Sequence, residues 1–327
     1  MPSFGEGFAT AKSPGSPKLQ RGLSHNKVLM PWPVYDHPSN IRMLADIGPA
    51  IPNLQDSISN AFDFASTAIE LQNDPNVQDL ATILFGSGGL PAALTTIAHF
   101  ASLPTISTFQ GVGEKKIAGT GDVLIACDFS RYQDEIWDGE LWHYDSVGDV
   151  AEADSDRVYQ ACSGGGGGAS FQFAYTLLYD DATNMPDLIQ FCPWFLSYMH
   201  AQRWSSSSQV DPWWLVDIPP GAAEALEQGK GTPIDLYGLL EQTILHELTH
   251  TKAGKESDDI IGILPFVGTS GFLYATAQSA QGSNNAENLS LFGMGAKLVQ
   301  LGFKVDRNGV LTAIPTSEKM RGRSFVA

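Results

Sequence analysis

Apolar residues recur at helical spacing in the first third of the chain. Between residues 56 and 73 they fall on one helix face, which predicts an amphipathic helix that ends near Asn73-Asp74-Pro75. A shorter stripe over residues 77–84 predicts a second helix, closed by a glycine-rich stretch, and residues 90–100 fit a third. This part of the chain therefore indicates a helical region.

The middle of the chain changes to the pattern of short strands. Runs of apolar and β-branched residues between turn residues predict strands at residues 122–127, 140–145, 157–162, 171–179 and 188–192. The glycine run 164–168 indicates a flexible turn or loop. A phosphate-binding loop is disfavoured, because no Lys-Ser/Thr pair follows the run. Short strands of this kind can form a sheet edge to which a peptide adds as an extra strand.

A further helix is predicted around residues 233–250. Thr232 is a suitable N-cap, Pro233 suits the first helical position, Asp235 supplies a first-turn carboxylate, and Gly254 offers a stop. Its apolar face consists of Leu236, Leu239, Leu240, Ile244, Leu245 and Leu248.

This helix carries the pattern H-E-x-x-H. Residues at i and i+4 share a helix face, so the side chains of His246 and His250 would point the same way and could bind one zinc ion. Glu247 would lie beside them, placed to take a proton from a zinc-bound water. A catalytic zinc site needs a third protein ligand, and no third histidine follows at the usual spacing. The candidates are the carboxylates downstream: Glu256, Asp258, Asp259 and Glu287.

Composition narrows the classes of partner. The 327 residues carry a formal net charge of −17, which disfavours nucleic acid and anionic membrane surfaces as partners. No run approaches the roughly 20 apolar residues that cross a bilayer, and residues 1–20 do not form a secretory signal. The three cysteines, Cys127, Cys162 and Cys192, allow one disulfide and a free thiol or a fully reduced set.

Three motifs resemble those of the deuterolysin-like zinc metalloendopeptidases, the aspzincins, a group that includes lysine-specific metalloendopeptidases. The stretch 246–251 resembles the family helix, 268–275 resembles the family's G-T-x-D-x-x-Y-G, and 285–292 resembles its N-A-D-N/S-Y-x-x-F-A helix. The resemblance covers roughly residues 120–300. It implies an α+β, zincin-like fold, mostly helical, with a small mixed or antiparallel sheet beside the H-E-x-x-H helix.

The second motif departs from the family at its metal-binding aspartate, where this chain has Gly271. One interpretation makes Asp259, or else Asp258, the third ligand, with residues 261–270 inserted before Tyr274. The other holds that the ligand is lost. The resemblance implies that Tyr274 stabilises the oxyanion and that Glu287 and Asn285 support the metal-binding residues. A thermolysin-like alternative makes Glu287 the third ligand.

The sequence thus predicts a zinc metalloendopeptidase with one zinc ion per chain, with Glu247 as general base and His246, His250 and Asp259 as ligands. The alternatives are a degenerate, non-catalytic protein that binds zinc or a partner, and a gluzincin-type peptidase. Expected domains are an arm (1–38), a helical region (39–115), the peptidase domain (116–310) and a tail (311–327). Expected partners are peptides or proteins, without nucleic acid or membrane, for a monomer. Family resemblance implies secretion, although a cytoplasmic location stays open.

Overall fold

The structure is a computed structural model. It describes residues 41–44, 54–101, 106–109, 123–129, 131–137, 140–145, 150–153, 162, 173–178, 187–196, 207, 210–216, 231–260 and 271–315. The predicted arm, the glycine run 164–168, the inserted segment 261–270, the tail beyond residue 315 and the predicted strand 157–162, apart from Cys162, lie outside these residues.

The three helices predicted for the first third of the chain are confirmed. They are α1 (Leu54–Glu70), α2 (Pro75–Phe85) and α3 (Leu90–Ala101). The α2 helix begins where the Asp74 carboxylate accepts a bond from the backbone N–H of Asn76, and it ends at Gly86, whose φ of 67° favours glycine. No single described helix is long and apolar enough to cross a bilayer, and α2 and α3 meet that criterion only as a pair bent by 101°.

The main sheet of the described residues is mixed. Its strands are β1 (Ile41–Leu44), β2 (Ile106–Phe109), β3 (Val123–Ala126), β7 (Ala174–Leu177) and β8 (Asp187–Phe191), in the order β2-β1-β3-β8-β7. All neighbours are parallel except β7, which pairs antiparallel with β8 at the end of the sheet. Strands β3 and β8 are buried along their whole length, as expected of inner strands covered on both faces.

Two smaller antiparallel sheets complete the strands of the described part. One joins β4 (Tyr132–Trp137), β5 (Glu140–Asp145) and β6 (Val150–Ala153), and the other pairs β9 (Phe303–Val305) with β10 (Leu311–Ala313). The predictions at 122–127, 140–145, 171–179 and 188–192 are confirmed as β3, β5, β7 and β8. Strands β1, β2, β4, β6, β9 and β10 were not predicted. The mixture of helices and small sheets agrees with an α+β architecture.

The helices after the sheet are α4 (Pro212–Val216), α5 (Leu239–His250), α6 (Phe272–Ala277) and α7 (Ala286–Leu301). Helix α7 lies at the centre of the core, because almost every residue from Ala286 to Val299 is buried. Helices α1, α2 and α5 pack around it. At Gly293 the approach is close: an added Cβ would lie 2.9 Å from Cδ2 of Leu245 on α5.

The start and the end of the H-E-x-x-H helix differ from the prediction. Residues Pro233–Leu236 form a separate 3-10 turn, in which Thr232 and Asp235 make a capping box. The α5 helix begins only after Gly238, whose φ is 66°, so the chain changes direction between the turn and the helix. It ends at His250, and Gly254 closes a second 3-10 turn, Lys252–Gly254.

The structure pairs two of the three cysteines. Cys162 and Cys192 form a disulfide that joins positions 30 residues apart, next to the end of β8. Cys127 is a buried free thiol, and burial raises its pKa to about 12. The pairing left open by the sequence is therefore a single disulfide.

We expect Phe292→Ala to destabilise the protein by about 3–5 kcal/mol. The Phe292 side chain is fully buried in α7, and its ring meets that of Phe85 edge-on, with 5.1 Å between centroids. Chemical denaturation measures the effect. The control Leu301→Ala, at the exposed end of the same helix, should change stability by about 0.5 kcal/mol or less. Equal losses in the two variants would contradict the central position of α7.

Candidate metal centre

Three side chains from two neighbouring segments converge on one point. His246 and His250 lie one turn apart on α5, and Asp259 lies on the segment that follows. The Nε2 atoms of the two histidines are 3.2 Å apart. Oδ1 of Asp259 lies 3.2 Å from Nε2 of His246 and 3.3 Å from Nε2 of His250. These three atoms form a nearly equilateral triangle.

The neighbours of each histidine fix which ring nitrogen carries the proton. Nδ1 of His246 lies 3.0 Å from the Glu287 carboxylate, and Nδ1 of His250 lies 2.7 Å from the carbonyl oxygen of Ser257. Both partners accept hydrogen bonds, so both Nδ1 atoms are donors. In the neutral rings, both Nε2 atoms then present lone pairs towards each other and towards Asp259. Three converging acceptors need a cation or additional protons between them.

The spacing of the triangle fits a small tetrahedral cation. Zinc bonds of about 2.0–2.2 Å to nitrogen and oxygen place tetrahedral ligand atoms about 3.3–3.6 Å apart, close to the 3.2 and 3.3 Å of this triangle. Two imidazole nitrogens and a carboxylate oxygen are also donors that zinc accepts. The three residues could therefore hold one metal ion and leave a fourth position open.

Without a cation, protons concentrate on this cluster. Burial lowers the pKa of His246, but its bonds to Asp259 and Glu287 outweigh burial and hold that pKa well above its usual value. The pKa of His250 is raised in the same way, against burial, by its bond to Asp259. Partial desolvation of Asp259 is outweighed by its bonds to both histidines, which hold its pKa far below the usual range. A metal ion would displace the protons of the histidines.

The segment that carries Asp259 is joined to the start of α7. The backbone N–H of Asp258 donates to Asn284 O, and its carbonyl accepts from Ala286 N, at 2.9 and 3.0 Å. Asn285 accepts a bond of 3.4 Å from the backbone N–H of Ile260. The structure thus places Asn285 beside the segment that carries Asp259, and the supporting role that the resemblance implies for it stays a prediction.

The two adjacent aspartates have different surroundings. The Asp258 carboxylate accepts a bond of 2.8 Å from the Asn284 side chain, whereas the Asp259 carboxylate meets the histidines. The structure therefore brings Asp259, and not Asp258, to the histidine pair.

Glu287 connects His246 to the rest of the core. It is 4% exposed, and its Oε2 accepts from Nδ1 of His246 and from the Gln242 side chain, both at 3.0 Å. Its Oε1 accepts from the backbone N–H of Gly271. Because Glu287 meets Nδ1 and the triangle is formed by Nε2, its carboxylate lies behind the histidine. It orients the ring, as carboxylates commonly do for metal-binding histidines.

Glu247 lies in a cavity of about 440 Å³. The described residues that line this cavity are Tyr175, Thr176, Leu178, Glu247, His250, Glu256, Ser257, Asp258 and Asp259. Burial raises the pKa of Glu247, although the two histidines and a bond from Thr176 act in the opposite direction. A carboxylate with a raised pKa beside a cluster that could hold a metal ion is suited to act as a general base.

Neither Tyr274 nor Gly271 lines the cavity, although the backbone N–H of Gly271 bonds to Glu287. Tyr274 is 4% exposed, belongs to α6, and is not among the described residues that line the cavity. A Cβ added to Gly271 would lie 3.5 Å from the Asp235 carboxylate. Burial, against bonds from Thr232 and from the backbone of residue 272, raises the pKa of Asp235 to about 6. Position 271 therefore borders the half-buried carboxylate of Asp235, and the acid that meets the histidine pair is Asp259.

The sequence did not identify Thr176 as a contact of Glu247 or Ser257 as a contact of His250. Both act on α5 through tertiary contacts: Thr176 is 71 positions from Glu247 in sequence, and Ser257 contributes a backbone oxygen. A backbone acceptor has no signature in the side-chain sequence, so no local signal identifies Ser257. Thr176 lies in a predicted strand, and its contact with Glu247 follows only from the packing of that strand against α5.

We expect Gly271→Asp to lower stability without raising zinc affinity. The φ of Gly271 is 95°, which costs a side chain on the order of 1–3 kcal/mol, and the new carboxylate would lie against Asp235. Thermal unfolding and zinc titration measure the two effects. Gly271→Asn has the same shape without the charge, so its smaller loss isolates the charge repulsion. A gain in zinc affinity for Gly271→Asp would contradict this placement of residue 271.

Comparison with known proteins gives no relative: no family model matches the chain, and no curated protein or solved structure is significantly similar to it.

Proposed function

We propose that the protein is a zinc-dependent endopeptidase with a zincin-like fold, in which His246, His250 and Asp259 hold one zinc ion. The observation that carries the proposal is the triangle of acceptor atoms at 3.2–3.3 Å beside the buried acid Glu247. When bound, zinc supplies Lewis-acid polarisation of a carbonyl and lowers the pKa of a coordinated water to about 7. Asp259, whose side chain is 66% exposed, leaves this region of the cavity open to substrate.

Glu247 is the proposed general base. Its Oε2 accepts a bond of 2.8 Å from Thr176, whereas its Oε1 has no hydrogen-bond partner among the described residues, and the Glu247 side chain lines the cavity. Oε1 can therefore take a proton from a water molecule in the cavity and pass it to the leaving amine. Glu287 and Ser257 O keep both imidazoles in the tautomer that directs Nε2 to the same point.

The arrangement of β7 supports a peptide as substrate. This strand lies at the end of the described sheet, beside α5, and Thr176 and Leu178 at this edge line the cavity that contains Glu247. An extended peptide can add to such an edge by main-chain hydrogen bonds, which would bring a peptide bond next to the base. The net charge of −17 continues to argue against nucleic acid as the partner.

Secretion is part of the proposal. A disulfide such as Cys162–Cys192 persists in oxidising compartments and is rare in the cytosol. The family resemblance points in the same direction.

We expect the protein to bind one zinc ion per chain. We also expect substitutions in and around the site to weaken zinc binding to different extents. Asp259→Ala should weaken zinc binding most, because it removes a ligand. Glu287→Gln should cost about 10–100-fold, as for the loss of a carboxylate behind a histidine. Asp258→Ala, the neighbouring acid bonded to Asn284, is the matched control and should bind as the unmodified protein does. Competition with a chromophoric chelator and elemental analysis measure affinity and content.

This ranking distinguishes the alternatives that the sequence left open. A gluzincin-type site predicts that Glu287→Gln is the most damaging change, with Asp259→Ala nearly silent. A chain that has lost its third ligand predicts zinc content near zero after dialysis against a weak chelator.

We expect Glu247→Gln to lower the hydrolysis of unfolded casein by about 10²–10⁴-fold, because it removes the base, while zinc content stays near one per chain. Release of fluorescent peptides from labelled casein measures the rate. Glu70→Gln, on the exposed end of α1, controls for the loss of a carboxylate. A Glu247→Gln protein as active as the unmodified one would refute the mechanism. If both the unmodified protein and Glu247→Gln bind zinc and neither hydrolyses casein, the result would favour a non-catalytic, zinc-binding protein.

A further inference from the structure

The carboxylate of Glu247 has one hydrogen-bond donor among the described residues, and that donor comes from the sheet. Oγ1 of Thr176 on β7 lies 2.8 Å from Oε2 of Glu247 and 3.0 Å from its backbone oxygen. Glu247 belongs to α5, so this threonine joins the substrate-side strand to the proposed base across 71 positions of sequence.

The contact with the backbone oxygen has a structural explanation. Because α5 ends at His250, the carbonyl of Glu247 lies in the last turn, where helix carbonyls lack their usual partners. The backbone N–H of Thr251 bonds to Leu248 O and leaves the Glu247 oxygen to the threonine. A threonine with only this role would stabilise the helix end and do nothing for the reaction.

The contact of Thr176 with Oε2 of Glu247 is not explained by capping of the helix end. A glutamate side chain has several rotatable bonds, and a base must lie within about 2.6–3.2 Å of the proton that it takes. With Oε2 held by Thr176, the carboxylate has fewer accessible orientations, and Oε1 is the oxygen without a hydrogen-bond donor among the described residues. Because a hydroxyl can donate one bond and accept another, the threonine can keep a bond to the glutamate side chain whether or not that side chain carries a proton.

We propose that Thr176 is a positioning residue for Glu247, so that β7 both receives the substrate and orients the base that acts on it. This inference rests on the proposed peptidase function. The strand whose edge would carry the peptide also carries the hydroxyl that fixes the catalytic carboxylate. Movement of β7 relative to α5 would therefore change the position of the base and of the substrate together.

Thr176→Val tests the proposal, because valine keeps the branched shape and removes the hydroxyl. We expect kcat for casein-derived peptides to fall about 10–100-fold, the size of effect produced by misplacing a catalytic group, with KM and zinc affinity little changed. Thr176→Ser restores the hydroxyl and should recover most of kcat. Thr82→Val is the matched control: its hydroxyl bonds to a helix carbonyl, Gln78 O, on the exposed face of α2, and its loss should leave kcat unchanged.

Three results would overturn the proposal: a Thr176→Val protein with unchanged kcat, a Thr176→Ser protein as impaired as Thr176→Val, or a loss of kcat explained entirely by lost zinc. A second measurement does not depend on activity. In the zinc-free protein, the loss of melting temperature caused by Thr176→Val should be smaller in a Glu247→Ala background than in the unmodified one, because the side-chain contact is already absent. Additive effects would show that the contact does not form.

The two measurements separate the inference from the function on which it rests. Without peptide hydrolysis in the unmodified protein, the proposed function fails, and the melting-temperature comparison still decides whether Thr176 holds Glu247. Hydrolysis together with additive melting temperatures would preserve the peptidase and remove the role of Thr176.

Discussion

The candidate site depends on two hydrogen bonds that fix the tautomers of a histidine pair. Glu287 and the carbonyl of Ser257 each accept from an Nδ1 atom, so both Nε2 lone pairs face the same point as the Asp259 carboxylate. Such a convergence of acceptors is unfavourable unless a positive charge lies between them. Contacts within the protein hold this arrangement, so a metal ion bound at this point would need little rearrangement of the protein.

Helix α7 provides most of the support. It is buried almost throughout. Two residues at its start contact different parts of the site: Glu287 orients His246, and Asn285 bonds to the segment that carries Asp259. A buried helix that is packed on several sides cannot shift without opening cavities. The contacts that its first residues make with the site are therefore held in fixed positions. The close approach at Gly293 brings α7 against Leu245, the residue before His246 on α5.

The sheet contributes to the site through its last described strand. Strand β7 runs antiparallel to β8 and lies beside α5, where Thr176 bonds to Glu247. Just beyond the same end of α5, Asp187 of β8 accepts a bond of 2.6 Å from the backbone N–H of Lys252. Two neighbouring strands thus contact the last turn of the helix and the 3-10 turn after it. The position of the proposed base relative to the sheet is therefore fixed at two points.

Local sequence determined the helices of the first third, four of the strands and the pairing of His246 with His250 on one face, because each follows from periodicity or from i, i+4 geometry. Among the strands outside the predicted set, β9 and β10 have three residues each, which is too few for a periodic signal. The choice of Asp259 over Asp258, the place of Glu287 behind the histidine, and the contact of Thr176 with Glu247 were decided by tertiary structure. Each depends on segments that are distant in sequence or on the side to which a loop residue points, and neither is encoded in local spacing.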